Sequence, residues 1–340
     1  MPKPRQPNST TANRATSPSV TDGIVMLRAA TPDDTDKLIK GRDKIFHRWL
    51  GEGSDDPQPT ACIEVDGILV GWIDYDQDRD WLGTDEVNIG YSLFAQHRGS
   101  GYATRSLQLL MHHLAMSTTI ATATLLIDRA NLASIAVAKR AMFVEIQQRG
   151  TNLYLKRSVP ALTYSDGKTT IRRRELQDLA ADIAAKDTDQ IRWLWNERQG
   201  EAWHAMSEAS RLEHAREALQ QQRDSFGLGP KWCFTIDAGA HESVGYIDCD
   251  LSNEHVKRGE ANISYACHPL HRGRGFISSG VRLVCKFLEE HTAASEAHLI
   301  VDQHNDASLR VANAVAAKPS PNPNGHLDAA LIDHIIPLHR

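Results

Sequence analysis

Apolar and polar residues alternate along Ala61–Val65 and again along Ile68–Tyr75, with Asp66-Gly67 between them, which predicts a β-hairpin. Glu86–Tyr91 has the same strand character. Beyond Gly101 the period changes: Ala103, Leu107, Leu110, Met111 and Leu114 share one face of a predicted helix. A strand therefore feeds the loop Gln96-His97-Arg98-Gly99-Ser100-Gly101, which opens a helix at Tyr102-Ala103. Such a junction leaves the first helical N–H groups free beside the positive end of the helix dipole, which makes it an anion site. Ile24–Arg28 reads as an earlier strand. Thr31-Pro32-Asp33-Asp34 reads as a helix start, with a threonine cap, a proline in the first turn and acids facing the dipole. That helix is expected to run on through Phe46, Trp49 and Leu50. Ala121–Asp128 and Asn152–Arg157 complete the predicted strands, with a helix after Asn131.

The pattern then repeats as a whole. Gly71 and Gly245, Tyr91 and Tyr265, Arg98 and Arg272, and Asp128 and Asp302 are each 174 positions apart, each within a matching local sequence. A register held over so many residues marks duplication of an entire domain, because solenoid periods are far shorter. Residues 1–22, rich in Pro, Ser, Thr and Asn, read as a disordered tail, with the first domain over 23–158, a Pro/Ser/Gly-containing linker over 159–168 and the second domain over 169–340.

Composition narrows the function classes. With 340 residues and 41% hydrophobic content, the chain can bury two ordinary cores. No apolar run approaches the ~20 residues of a membrane span, so no membrane partner is expected. A net charge of −5 argues against general nucleic-acid binding. The five cysteines show no Cys-x-x-Cys spacing and read as buried free thiols in a reducing, cytoplasmic compartment. No metal-ligand spacing is visible, so no metal is expected.

The glycine loop fits neither a Walker motif nor a dinucleotide fingerprint, since Thr104 stands where the latter needs its third glycine. Gln96-x-x-Gly99-x-Gly101 resembles the Gln/Arg-x-x-Gly-x-Gly/Ala signature of the GNAT superfamily of N-acetyltransferases. The resemblance implies an α+β fold in two tandem domains, each a mostly antiparallel central sheet flanked by helices. It implies acetyl-CoA as co-substrate, with Gln96, His97, Arg98, Gly99, Ser100, Gly101, Tyr102 and Ala103 around its pyrophosphate. By position, Arg272, Gly273, Arg274 and Gly275 serve the second copy, and Asn131 and Asn305 contact pantetheine. Many members carry a tyrosine seven residues after that asparagine as the acid for the departing thiolate; Ala138 stands there. Asn131-x-x-Ser134 is closer to the Rim-type branch, which acetylates protein N-termini and related amines. Ser134 and Ser308 inherit the acid's role, although a serine early in a helix also simply bonds to backbone.

Acetyl transfer to an amine needs a base, and Glu86 with its counterpart Glu260 is the first candidate, with Asp74 and Asp248 on the preceding strand as rivals. A solvated acid at a strand start reads identically. An amide near Ser92 or Leu93 would serve the oxyanion. His47, Trp49 and Trp81 sit where the family roofs its acceptor site, or pack as ordinary aromatics. The second copy has a longer helical front, with Trp193, Trp195, Trp203 and His204 before a capping box at Ser210-x-x-Glu213, and its loop begins at Leu270 in place of Gln96. Its Ala317–Gly325 stretch replaces a helix end with prolines. The first copy matches the cofactor signature better and is the expected catalytic half. The leading expectation is acetylation of a small-molecule primary amine. The alternatives are a protein N-terminal amine and a non-catalytic acyl-CoA-binding scaffold.

Overall fold

The structure is a computed structural model and describes residues 17–239, 242–320, 328 and 330–339. In the first copy, β1 (Val20–Thr21) and β2 (Met26–Arg28) lead to α1 (Thr35–Lys40) and α2 (Lys44–Leu50), then β3 (Ala61–Val65), β4 (Ile68–Asp76) and β5 (Glu86–Leu93). After α3 (Tyr102–Ser117) come β6 (Thr122–Asp128), α4 (Leu132–Arg140), β7 (Val144–Arg149) and β8 (Asn152–Ser158). The second copy runs β9 (Tyr164–Ser165), β10 (Thr169–Arg173), α5 (Leu179–Ala184), α6 (Thr188–Leu194), α7 (Glu197–Ala205) and α8 (Glu208–Ser225). It continues with β11 (Lys231–Ala238), β12 (Glu242–Asp250), β13 (Ala261–Cys267), α9 (Phe276–His291), β14 (Glu296–Asp302), α10 (Asp306–Ala314), β15 (Lys318–Ser320) and β16 (Leu331–Pro337).

Each copy builds one eight-stranded sheet, in the orders β1-β2-β3-β4-β5-β6-β8-β7 and β15-β16-β14-β13-β12-β11-β10-β9. All pairings are antiparallel except β5/β6 and β13/β14. Those two parallel pairs are short: Glu86–Asn88 against Thr122–Thr124, and Ala261–Asn262 against Ala297–His298. Beyond them the strands part, and a wedge opens toward the glycine loop. The expected fold class is therefore the observed one.

Several boundaries differ from expectation. Val20 is buried and Val20–Thr21 pairs with β2, so sheet structure begins inside the segment read as tail; residues 1–16 lie outside the described ones. The first helical stretch breaks in two at Gly41, where a Cβ would meet the Phe94 ring at 2.2 Å, and Asp43 then caps α2 by accepting from the Phe46 N–H. The linker carries β9, whose Tyr164 is buried. Ser207, one turn before the expected Ser210, caps α8. Most of the proline-rich stretch, 321–325, lies outside the described residues.

Gly71 and Gly245 are fixed by the sheet. A Cβ there would stand 2.2 Å from the Ser92 carbonyl oxygen and 2.3 Å from that of Ala266. Gly245→Ala is expected to cost roughly 1–3 kcal/mol through forced separation of β12 and β13, measured as a drop in denaturation midpoint. An unchanged midpoint would show that this close approach is not a constraint.

The two copies meet through α3 and α9. This explains why α3 is buried on both sides: Gln108, His112 and His113 lie opposite the apolar face predicted from the sequence and are buried as well. His112 Nδ1 lies 2.9 Å from His291 Nδ1, and both rings are fully buried. His291 Nε2 lies 2.8 Å from the Ala161 carbonyl, so it carries the proton and donates, leaving its Nδ1 as acceptor. His112 Nδ1 therefore donates to it, and His112 Nε2 faces both the Phe226 carbonyl at 3.3 Å and the Trp232 indole N–H at 3.4 Å. Arg157 from β8 donates to the carbonyls of Ala141 and Glu290, and the Tyr164 hydroxyl donates to the Glu290 carboxylate at 2.6 Å.

Candidate active site

Each glycine loop ends in a left-handed residue that starts a helix. Gly101 (φ 81°) precedes α3 and Gly275 (φ 82°) precedes α9; neither helix has a side-chain cap. Gly99 and Gly273 are also left-handed, at 83° and 75°. A Cβ built at any of the four meets nothing within 4 Å, so the loops face open space with uncapped amides. This is the geometry of an anion cradle.

The loop arginines have another task. Arg98 donates to the Leu93 carbonyl and to both oxygens of Asp43, at 2.7 and 2.9 Å. Arg272 repeats this, donating to the Cys267 carbonyl and pairing with Asp187 and Asp189. Asp43 caps α2 and Asp187 caps α6, so in each copy the arginine ties the loop to the helix that roofs the cleft. The Arg98 guanidinium holds the Asp43 carboxyl well below its ordinary range. Both arginine side chains are thus engaged within the chain, and their backbone N–H groups donate to the Ala95 and Pro269 carbonyls at 3.4 Å, so it is the uncapped amides opening α3 and α9 that face the open cradle. No contact in the structure singles out the side chains of Gln96, His97, Ser100, Tyr102 or Arg274 as anion ligands, although the Arg274 carbonyl accepts from Lys168.

A cleft of ≈ 1210 Å³ belongs to the second copy. It runs along the parted β13 and β14, reaches Gly273 and Gly275 at one end, and has Trp193 of α6 as part of its roof. Trp195 and Trp203 instead pack edge to face, and Trp203 is buried. In the first copy Trp81 packs against Tyr154, and Trp49 lies under the Arg48 guanidinium.

The asparagines are helix caps. Asn131 Oδ1 accepts from the Ser134 N–H at 3.2 Å, and Asn305 Oδ1 from the Ser308 N–H at 3.1 Å. Ser134 faces the buried Tyr91 hydroxyl and Ser308 faces that of Tyr265; burial pushes both phenols up, Tyr91 to about 12, and the serines offset this in part. Neither tyrosine hydroxyl makes a hydrogen bond. Neither tyrosine stands out as an acid in the sequence, because its pairing with a helix serine across the wedge is a tertiary contact. Tyr265 and Ser308 both line the second cleft.

The candidate bases separate clearly. Glu86 is buried and engaged by the Lys156 ammonium at 2.6 Å, the Thr124 hydroxyl and the Gly83 amide. Burial raises its pKa, but these partners outweigh burial and hold it below the ordinary value. Asp74 accepts from the Thr60 amide and hydroxyl. Glu260 accepts from the Lys257 N–H and faces His298. Asp248 differs from the other three: burial pushes it up to about 6, the Lys231 ammonium 3.4 Å away opposes that only in part, and its Oδ1 accepts no hydrogen bond. Its partner across the sheet is Ser264, which lines the cleft.

The sequence matches the family described as acetyltransferase (GNAT) domain over residues 20–144 and again over 169–318. The chain belongs to that family, twice over. Its reaction class is accordingly acetyl-CoA-dependent acetylation, on a tandem GNAT architecture. No curated protein matches the chain by sequence. Among solved structures, the chain is similar to a GNAT-family acetyltransferase from Bacillus anthracis (15% identity, 51% of this chain and 95% of that one, TM-score 0.38). It is also similar to a Salmonella typhimurium acetyltransferase described as modifying the N-terminal serine of a 50S ribosomal subunit protein (13%, 51% and 96%, TM-score 0.39). A third is the microcin C7 self-immunity acetyltransferase MccE, solved with acetyl-CoA and AMP (11%, 50% and 91%, TM-score 0.36).

Proposed function

We propose that the chain is an N-acetyltransferase that moves the acetyl group of acetyl-CoA to the primary amine of a small cationic molecule, and that turnover takes place in the second copy. The observation that carries this reading is the second cleft, which joins an uncapped glycine loop at its mouth to the parted β13 and β14. This moves the catalytic assignment from the first copy, where the loop sequence is closer to the signature, to the copy with the large cleft. Gly273 and Gly275 cradle the diphosphate. The amine attacks the thioester carbonyl, the C–S bond breaks, and no acyl-enzyme forms; holding both reactants in one cleft supplies most of the acceleration. Asp248 receives the ammonium proton. The Tyr265 hydroxyl, beside Ser308, returns a proton to the thiolate. The net charge of −5 favours a cationic acceptor.

Asp248→Asn is expected to lower kcat about 100-fold or more and to remove the rise in rate as pH passes about 6, with acetyl-CoA affinity unchanged. An unaltered pH profile would remove Asp248 from this role. Thiol release measured against a panel of small amines and N-terminal peptides tests the acceptor. A peptide N-terminus is the competing substrate because the Asn-x-x-Ser pattern is present in both copies. Release with peptides alone would overturn the small-amine reading.

A further inference from the structure

The two copies treat the closed end of the wedge differently. In the first, the Glu86 carboxylate is neutralised from within the chain by Lys156 and by the Thr124 hydroxyl. At the matching positions 174 residues on stand Glu260 for Glu86, Glu296 for Thr122 and His298 for Thr124. Thr124 pairs with Lys156 across β6 and β8, whereas His298 pairs with Ile335 across β14 and β16, so the ammonium has no counterpart at that register. Three carboxylates surround one imidazole instead. Asp333 is 3.1 Å from His298 Nδ1, while Glu260 and Glu296 are 3.1 and 3.8 Å from Nε2. Even a protonated imidazole leaves this group with excess negative charge, an expensive state in a partly buried place.

The imidazole points to what balances it. His298 is only 5% exposed, and its Nε2 makes no hydrogen bond although the Glu260 oxygen is 3.1 Å away. At that separation the oxygen must lie off the ring N–H direction, which is poor hydrogen-bond geometry. It is good ligand geometry: two donors each ~2.1 Å from one ion stand roughly 3.0 to 3.4 Å apart, between octahedral and tetrahedral angles. The Glu296 side chain, 37% exposed, has room to close the remaining few tenths of an ångström and leaves an entry route. The ligand atoms of all three residues already lie within 4.8 Å of one another.

We propose that Glu260, Glu296 and His298 bind a first-row divalent metal ion, with zinc the closest chemical fit. Imidazole nitrogen and carboxylate oxygen are the donors such ions take, and Asp333 orients the ring through Nδ1 as a carboxylate commonly does behind a metal-bound histidine. The ion stands in for the Lys156 ammonium and ties the start of β13 to β14, where only two residues of each strand pair. No ligand spacing in the sequence marks the site, because Glu260, just before β13, meets Glu296 and His298 of β14 only in the folded sheet.

The test uses the full chain stripped with chelator and dialysed against zinc chloride, with bound metal counted by elemental analysis and affinity read by competition with a chromogenic chelator. The wild type is expected to hold one zinc ion per chain that Glu260→Gln and Glu296→Gln lose or bind at least tenfold more weakly; Asp333→Asn should weaken it by about 10–100-fold. Cobalt chloride gives a second readout, a visible absorption band in the wild type that Glu296→Gln abolishes. Circular dichroism confirms that the variants fold, and the half-exposed Glu296 makes its substitution the mildest. Equal zinc content and affinity in the wild type and both glutamine variants would overturn the proposal. So would a wild type that retains no zinc at micromolar concentration, which would leave a protonated His298 bridging the carboxylates.

Discussion

Gly275→Val is expected to weaken acetyl-CoA binding at the second copy by roughly 100-fold, equivalent to losing two charge-assisted hydrogen bonds of about 1.5 kcal/mol each. Gly275 has φ 82°, a left-handed conformation that a β-branched residue adopts only with strain, so the turn must reshape and its amides lose their common direction. The space beside its Cα is open, so the cost falls on the anion site and little on the core. Gly101→Val makes the same change in the first copy and is expected to leave turnover nearly intact. Calorimetry and steady-state rates on the two variants decide this, and the reverse order of damage would return catalysis to the first copy.

Acidification should destabilise the junction between the copies. His112 is fully buried and burial lowers it to about 4, with His113 a minor contributor; His291 is pushed well below its ordinary value by burial and by His112. A proton added at His291 Nδ1 would face the N–H of His112 Nδ1, while the Phe226 carbonyl 3.3 Å from His112 Nε2 favours the charged form of that ring and offsets burial only in part. Of the other polar groups at this junction, Arg157 disfavours an imidazolium, and the Tyr164 hydroxyl is engaged with Glu290. The unfolded chain takes up these protons near pH 6.5 while the folded chain resists until about 4. The stabilisation is therefore present above pH 6.5 and is lost as pH falls from there toward 4. For His112 alone the loss is on the order of 3 kcal/mol. Denaturant melts across that range, compared with a His112→Leu, His291→Leu double variant, should show a steep acid decline only in the wild type. Parallel pH dependence in both proteins would dissociate the pair from it.

The duplication was legible because its signals are local: glycine loops, strand alternation and the Asn-x-x-Ser caps all lie within short windows, and the 174-residue offset multiplies them. What escaped depends on contacts between distant segments. Gly41 ends α1 because Phe94 packs against it. His112 looks like the polar side of an amphipathic helix until α9 covers it. The loop arginines have no partner visible in the sequence, and only the fold places Asp43 and Asp187 beside them on the roof helices. Glu86 and Glu260 occupy equivalent positions, yet the neighbouring strands supply a lysine from β8 in one copy and further carboxylates from β14 and β16 in the other.

This divergence suits a division of labour. The first copy closes its wedge with an internal ion pair and lends α3 to the shared junction. The second has additional roof helices, a large cleft and a carboxylate poised near pH 6. A GNAT fold sets where acetyl-CoA lies but leaves the acceptor to the roof, and the roofs differ most between the copies.

The most direct test is a crystal structure of the chain grown with saturating coenzyme A. The account predicts coenzyme along the parted β13 and β14, with its diphosphate on the amides from Gly273 to Ile277. Coenzyme ordered only at the Gln96–Ala103 loop, or bound at neither copy, would contradict it.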